Sequence, residues 1–211
     1  MTKQTALKIL DYLKNRYPNP VPKLEFGSNY QLLIAVILSA QCTDERVNKV
    51  TKELFKNHGT PESMLELSSE QLERAIYSCG FYHNKAKHIL SATHDIIQKH
   101  GGEVPADFNE LRKLAGVGQK TANVVWAVAF NGDAIAVDTH VFRVSNRLGL
   151  ANANTPNKVE EQLKQIIPKN RWSESHHFLI FYGREICSAK KPKCAECELS
   201  AYCKYYKEVA L

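Results

Sequence analysis

Two kinds of reactive side chain stand out in this 211-residue sequence. The first is a group of thiols near its end. Cys187, Cys194, Cys197 and Cys203 follow a C-x6-C-x2-C-x5-C spacing that closes a short loop around one soft-metal centre. Thiolates select zinc or iron–sulfur, and four of them with no histidine inside the loop suit either a closed all-cysteine zinc site or a cubane cluster. Zinc ribbons use two C-x2-C pairs; this sequence has one, Cys194 to Cys197, which favours iron–sulfur. Two disulfides are the competing reading. The opening Met1-Thr2-Lys3-Gln4, with no apolar leader, predicts a reducing cytoplasm in which they would not persist. Cys42 and Cys79 lie beside helical segments and read as buried free thiols.

The second is a lysine. The segment Leu114-Ala115-Gly116-Val117-Gly118-Gln119-Lys120-Thr121-Ala122 turns from one helical pattern straight into another. Gly116 and Gly118 flank Val117 and allow backbone angles closed to other residues, so a tight turn with uncovered amides is expected. A phosphate fits there, because the helix N-terminus behind the turn adds N–H donors and partial positive charge. An isolated Gly-x-Gly is more often an ordinary helical corner; Lys120 and Thr121, in a basic chain, move the reading toward phosphate.

Lys120 stands at the head of a helix, where the dipole disfavours positive charge, and a neutral amine can form a Schiff base with an aldehydic sugar carbon. The plain alternative is a solvated or phosphate-bound lysine. Asp138, before Thr139 and His140, reads first as a helix N-cap, yet a carboxylate held there could also steady an oxocarbenium-like sugar. His140 has the same two readings, and a packed or solvent-facing histidine is favoured over a catalytic one.

These residues need elements to hold them. The hydrophobic content of 44% is enough for a core, and the longest apolar run, Leu32 to Ala40, is far short of a bilayer span of roughly 20 residues. It reads as a buried central helix. No membrane association is expected. Apolar residues recur at helical spacing throughout, which predicts an all-α fold. A helix over 2–16 precedes a connector with Pro18, Pro20 and Pro22. Ser28 with Gln31 forms a capping box, Thr43, Thr60 and Ser68 open further helices, and another covers 83–99. Asp107 caps a helix ending near Leu114, and later helices begin at Asp138, Thr155 and Ser173. Asn131-Gly132-Asp133 marks a lobe boundary, giving a domain 23–133 and a second lobe from 1–22 plus 134–211 that holds the cysteine loop 187–203. The first helix is expected to pack with that second lobe. A balance of 28 Lys and Arg against 22 Asp and Glu, net +6, suits a polyanionic partner. Lys190, Lys191 and Lys193 concentrate it in the cysteine loop.

With Leu33–Gln41 (LIAVILSAQ), Lys85-Ala86, Glu103-Val104-Pro105, Lys120–Val125 (KTANVV), Ile135–Val141 (IAVDTHV) and Arg184 through Cys203, the sequence resembles the bacterial endonuclease III family of helix-hairpin-helix DNA glycosylases over nearly its whole length. The resemblance implies a two-lobed helical fold with a [4Fe–4S] cluster on all four C-terminal cysteines. It implies excision of oxidised pyrimidines from duplex DNA and strand cutting at abasic sites. Lys120 would be the Schiff-base nucleophile and Asp138 its carboxylate partner, with His140 near the pocket. Gly116, Val117, Gly118 and Lys191 would contact DNA, and Gln41 and Phe81 would fill the vacated base stack. A cytoplasmic, nucleoid-associated monomer is expected. Ala115 departs from the usual Leu-Pro-Gly of the hairpin, and Phe81 stands where a leucine wedge is common. Ala35 occupies the position of the catalytic glutamate of the adenine-removing relatives, which argues against that activity.

Overall fold

The structure, a computed structural model, describes residues 1–18 and 23–209. Pro20 and Pro22 of the expected connector lie outside the described residues. Among the described residues twelve α-helices follow in order: α1 (Lys3–Arg16), α2 (Asn29–Leu38), α3 (Asp44–His58), α4 (Pro61–Met64), α5 (Ser69–Ile76), α6 (Tyr82–His100), α7 (Phe108–Lys113), α8 (Gln119–Ala129), α9 (Thr139–Leu148), α10 (Pro156–Ile166), α11 (Trp172–Glu185) and α12 (Lys204–Val209). Short 3-10 turns join several of them, and no strand occurs among the described residues. None of these helices is long and apolar enough to cross a membrane.

The chain divides into two units, Pro22–Asn131 and the pair of segments Met1–Val21 and Gly132–Leu211. In the first, α2 is the centre. Its residues Tyr30 and Leu32 to Leu38 are all buried, and α3, α6 and α8 pack around it. Each fully buried Leu or Ile there contributes about 1.5–3 kcal/mol of transfer free energy. The helix starts where Ser28 accepts the Gln31 amide at 3.2 Å. The capping box is only half made, because the Gln31 Oε1 accepts from Gly27 N at 2.8 Å and not from the cap residue. Gln31 also reaches the Gly59 carbonyl, so a tertiary contact takes over the local one. At Ser68 a capping box forms in full with Gln71.

In the other unit α1 lays Ala6, Ile9, Leu10 and Leu13 into a core shared with α9, α10 and α11. Helices α9 and α11 pack against each other at Gly183. A Cβ there would lie 3.0 Å from Val144 Cγ2 and 3.1 Å from His140 Cβ, so glycine is needed for lack of space. The last long helix does not open at Ser173. It is entered from the 3-10 turn Lys169–Arg171 with no side-chain cap, and the Trp172 indole donates to the Ile167 carbonyl at 2.9 Å.

Candidate active site

The hairpin between α7 and α8 begins where Leu114 turns extended, with ψ at 140°, and the Val117 amide returns to the Leu114 carbonyl at 3.1 Å. Gly116 has φ +77°, and a Cβ on it would meet His88 Cβ at 3.0 Å, so both conformation and space demand glycine. Gly118 departs from expectation. It is extended, with φ −80° and ψ −179°, a conformation any residue adopts. It is the N-cap of α8 and offers no capping side chain, which leaves the dipole end of an eleven-residue helix without one. Val117 is buried and anchors the turn, so a partner meets its backbone only. Lys120, the second residue of α8, is exposed, while Ala122 and Val125 on the opposite face join the core around α2.

The buried helix does not run on to Ala40 as the sequence suggests. Helix α2 stops at Leu38, Ser39 caps it by donating to the Val36 carbonyl at 2.8 Å, and Gln41 follows in the left-handed region at φ +54°. Phe81 is likewise left-handed, at φ +49°, and 64% exposed just before α6. For non-glycine residues that conformation costs about 1–2 kcal/mol each. Sequence reasoning gave no role to Lys85, although a lysine on the inward face of α6 was the available signal. Its buried ammonium donates to the carbonyls of Leu38 and Ala40 at 2.8 Å and of Cys79 at 2.7 Å. Burial pulls its pKa down, opposed by the neighbouring Cys79 and Cys42. Burial, then the neighbouring Cys42 thiol, pushes Cys79 up to about 11.

In the other unit Asp138 is the N-cap of α9. Its Oδ1 accepts from His140 N at 2.8 Å and Val141 N at 2.7 Å. Both amides fall on one oxygen, so Oδ2 takes no hydrogen bond from the described residues. His140 is half-buried, and burial lowers its pKa, with Asp138 opposing and Arg143 and Arg184 reinforcing. Arg143 was also missed. Its guanidinium meets His140 Nδ1 at 3.1 Å and donates to the carbonyls of Gly183 at 2.8 Å and Cys187 at 3.0 Å. One turn on, Arg147 donates to the Ser188 carbonyl at 2.7 Å, the Ala189 carbonyl at 2.9 Å and the Cys187 sulfur at 3.5 Å. An Arg-x3-Arg pair on one helix face was the legible trace of this clamp.

The clamp holds the start of the cysteine loop. The loop closes on itself where Lys193 N donates to the Ile186 carbonyl at 2.9 Å and the Ser188 hydroxyl to the Lys191 carbonyl at 2.6 Å, leaving Lys190, Lys191 and Lys193 exposed. Cys187, Cys194, Cys197 and Cys203 all line one cavity with Leu148 and Tyr182. None of the six cysteines is in a disulfide. Tyr182 OH lies 2.9 Å from the Cys197 sulfur, and Tyr206 N donates to the Cys203 sulfur at 3.4 Å. Burial first, then the neighbouring Cys197 and Cys187, raises the pKa of Cys194. Thiols that crowd one another in this way need a bound cation to ionise together. The donor set therefore suits a thiophilic metal centre, although no group of three or more His, Cys, Asp or Glu among the described residues stands as the ligand set of a single ion.

An uncapped hairpin followed by an exposed lysine, and a four-thiol loop carrying exposed lysines, define a class. Residues 34–169 match the family described as HhH-GPD superfamily base excision DNA repair protein. The chain is 47% identical to endonuclease III of Rickettsia conorii over 98% of both chains, and 49% identical to that of Bacillus subtilis over 92% of this chain and 90% of the other. A solved structure of a trapped endonuclease III–DNA covalent intermediate superposes with a TM-score of 0.95 at 47% identity, covering 100% of both chains. The chain belongs to the endonuclease III family of base excision repair enzymes, the DNA glycosylase/AP lyases.

Proposed function

We propose that this enzyme excises oxidised pyrimidines from duplex DNA through a covalent imine on Lys120 and then cuts the strand by β-elimination. The observation that carries this is the exposed lysine one residue inside an α8 that no side chain caps. The backbone amides of Gly116 and Gly118, in a turn that Val117 anchors through its own bond to Leu114, hold a phosphate beside the lesion, with no dependence on base sequence. The Lys120 amine attacks C1′ of the extruded nucleotide and the damaged base departs with the bonding electrons. Ring opening leaves a protonated imine. A base removes a C2′ proton, the C–H electrons pass into the imine as an enamine, the enamine expels the 3′-phosphate by breaking the C3′–O bond, and hydrolysis of the remaining imine returns the lysine. Asp138, capping with Oδ1, keeps Oδ2 for the developing positive charge on the sugar. His140 lines the pocket as a neutral side chain. The strand-penetrating residues are Gln41 and Phe81, and Lys191 contacts a phosphate from the cysteine loop. A trapped covalent DNA complex of the similar endonuclease III supports the imine route.

The four cysteines fit a [4Fe–4S] cluster, with Cys187, Cys194, Cys197 and Cys203 as its thiolate ligands. Bound there, it would cross-link the loop and fix Lys190, Lys191 and Lys193 on one surface. Arg147 and Tyr182 then serve the sulfurs as hydrogen-bond donors.

Duplexes carrying thymine glycol, dihydrouracil, an abasic site or an adenine mismatch test the reading side by side in EDTA. Cutting of the first three with borohydride trapping is expected. Tight binding without cutting would leave a non-catalytic DNA-binding module, and preference for the adenine mismatch would reassign the substrate.

A further inference from the structure

We propose that Lys85 is a positioning residue that sets Gln41 and Phe81 jointly into the left-handed conformations from which they enter the DNA stack. This rests on the strand-penetrating role assigned to those two side chains. Among the described residues, non-glycine positive φ occurs at Gln41, Phe81 and Asn131, and the first two sit at the ends of the segments that Lys85 ties together.

An ammonium has three N–H donors, and here all three are spent on backbone carbonyls. Leu38 and Ala40 belong to the chain leading into Gln41, and Cys79 to the chain leading into Gly80 and Phe81. The Phe81 carbonyl accepts the Lys85 amide at 3.0 Å as the first bond of α6, so Phe81 is the residue at which the chain enters that helix. Helix α2 has no basic residue in its last turn, so Lys85 of α6 supplies the positive charge that its C-terminal dipole lacks. Helix α6 has no side-chain cap of its own, so no neighbouring side chain fixes Phe81. The neighbouring Cys42 and Cys79 thiols flank the same junction. A lysine serving only the core would not need to span both segments.

The test is a double-mutant cycle in the full-length enzyme, Lys85→Met with Phe81→Ala. It is read as kcat/KM on an oxidised pyrimidine in a fully paired duplex and in an unpaired bubble. Each single variant is expected to lose about 10-fold on the paired duplex and less than about 3-fold in the bubble, since only the paired substrate needs unstacking. The double variant is expected to be no worse than the weaker single one. 2-Aminopurine opposite the lesion should lose its fluorescence rise in both singles. Losses that multiply, or a Lys85→Met loss equal on both substrates or absent, would overturn the positioning role while Phe81→Ala still discriminates. If Phe81→Ala itself fails to discriminate, it is the strand-penetrating reading that falls. Should Lys85→Met not fold, Lys85→Gln, with two donors in place of three, is read against the same outcomes.

Discussion

Arg143 meets the imidazole of His140, one turn earlier on α9, at 3.1 Å between its terminal nitrogen and Nδ1. A guanidinium only donates, so Nδ1 must accept, and His140 is neutral with its proton on Nε2. Nitrogen-detected NMR of His140 should show that tautomer at pH 7 and a titration below the ordinary value of 6.5. Because the folded state disfavours the charged ring, its stability is intact above pH 6.5 and declines as pH falls from there through the lowered folded value. Arg143→Met removes one of the charges that lower the pKa, so the titration should move upward; an unchanged midpoint would deny the contact its effect.

Lys120 and Asp138 should fail differently. Lys120→Gln is expected to abolish borohydride trapping and strand cutting while DNA affinity persists, measured by gel shift and by denaturing gels. Asp138→Asn keeps an amide oxygen for the His140 and Val141 amides, so its melting temperature should barely move. Turnover should nevertheless fall by about 100-fold or more. Full activity would return Asp138 to a capping role alone.

The loop that displays Lys191 is held by side-chain hydrogen bonds from Arg147 and Ser188 to its backbone carbonyls, so its lysines project from a fixed backbone. Lys191→Ala should weaken binding to damaged and undamaged duplex alike and reduce the slope of log K against log salt by about 0.9, the value of one phosphate contact. A loss confined to lesion DNA would assign Lys191 to the pocket instead.

Gly183→Ala places a methyl 3.0 Å from Val144 Cγ2 and 3.2 Å from the Arg143 guanidinium. Overpacking of this kind costs about 1–3 kcal/mol, visible as a lower melting temperature. The displaced guanidinium should also disturb the Cys187 carbonyl it holds. An unshifted melt would show that α9 and α11 can part at no cost.

Purified protein should be brown, with iron and acid-labile sulfide each about 4 per chain, as a cubane requires. Cys197→Ser should deplete both, while far-UV circular dichroism stays close to wild type because the core around α2 contains no residue of the loop. Stoichiometric zinc in anaerobically purified protein would refute the cluster.

What was legible in the sequence was local chemistry. Helix starts at Ser28, Thr43, Ser68, Asp107, Asp138 and Thr155 are capped as the sequence implied, since a side-chain oxygen two or three residues before a free amide needs no tertiary partner. The misses have long-range causes. Gln31 was drawn away by Gly27 and Gly59, and the start of α11 is set by Trp172 on Ile167. Gly118 resembles Gly116 in sequence, yet only Gly116 is pressed by His88, which lies on α6, a separate helix far back in the chain. Lys85 and the arginine pair were invisible as partners because their acceptors are backbone carbonyls, which every residue carries. At the candidate site, residue types carried the reading of Lys120, Asp138 and the cysteines, while the positive φ of Gln41 and Phe81 had no sequence signature.

One unit of this enzyme is built from Met1–Val21 and Gly132–Leu211, with Pro22–Asn131 between them in sequence. A ribosome therefore releases α1 long before its partners exist. At about 5–20 residues per second, α1 waits on the order of ten seconds for α9 and α11, with Ile9, Leu10 and Leu13 uncovered. The continuous unit can meanwhile fold on the nascent chain, and the thiol loop emerges last. A metal bound at those thiols would therefore be loaded after the hairpin is complete, and a chain stalled before its final segment would carry a finished hairpin together with an unsheltered apolar helix.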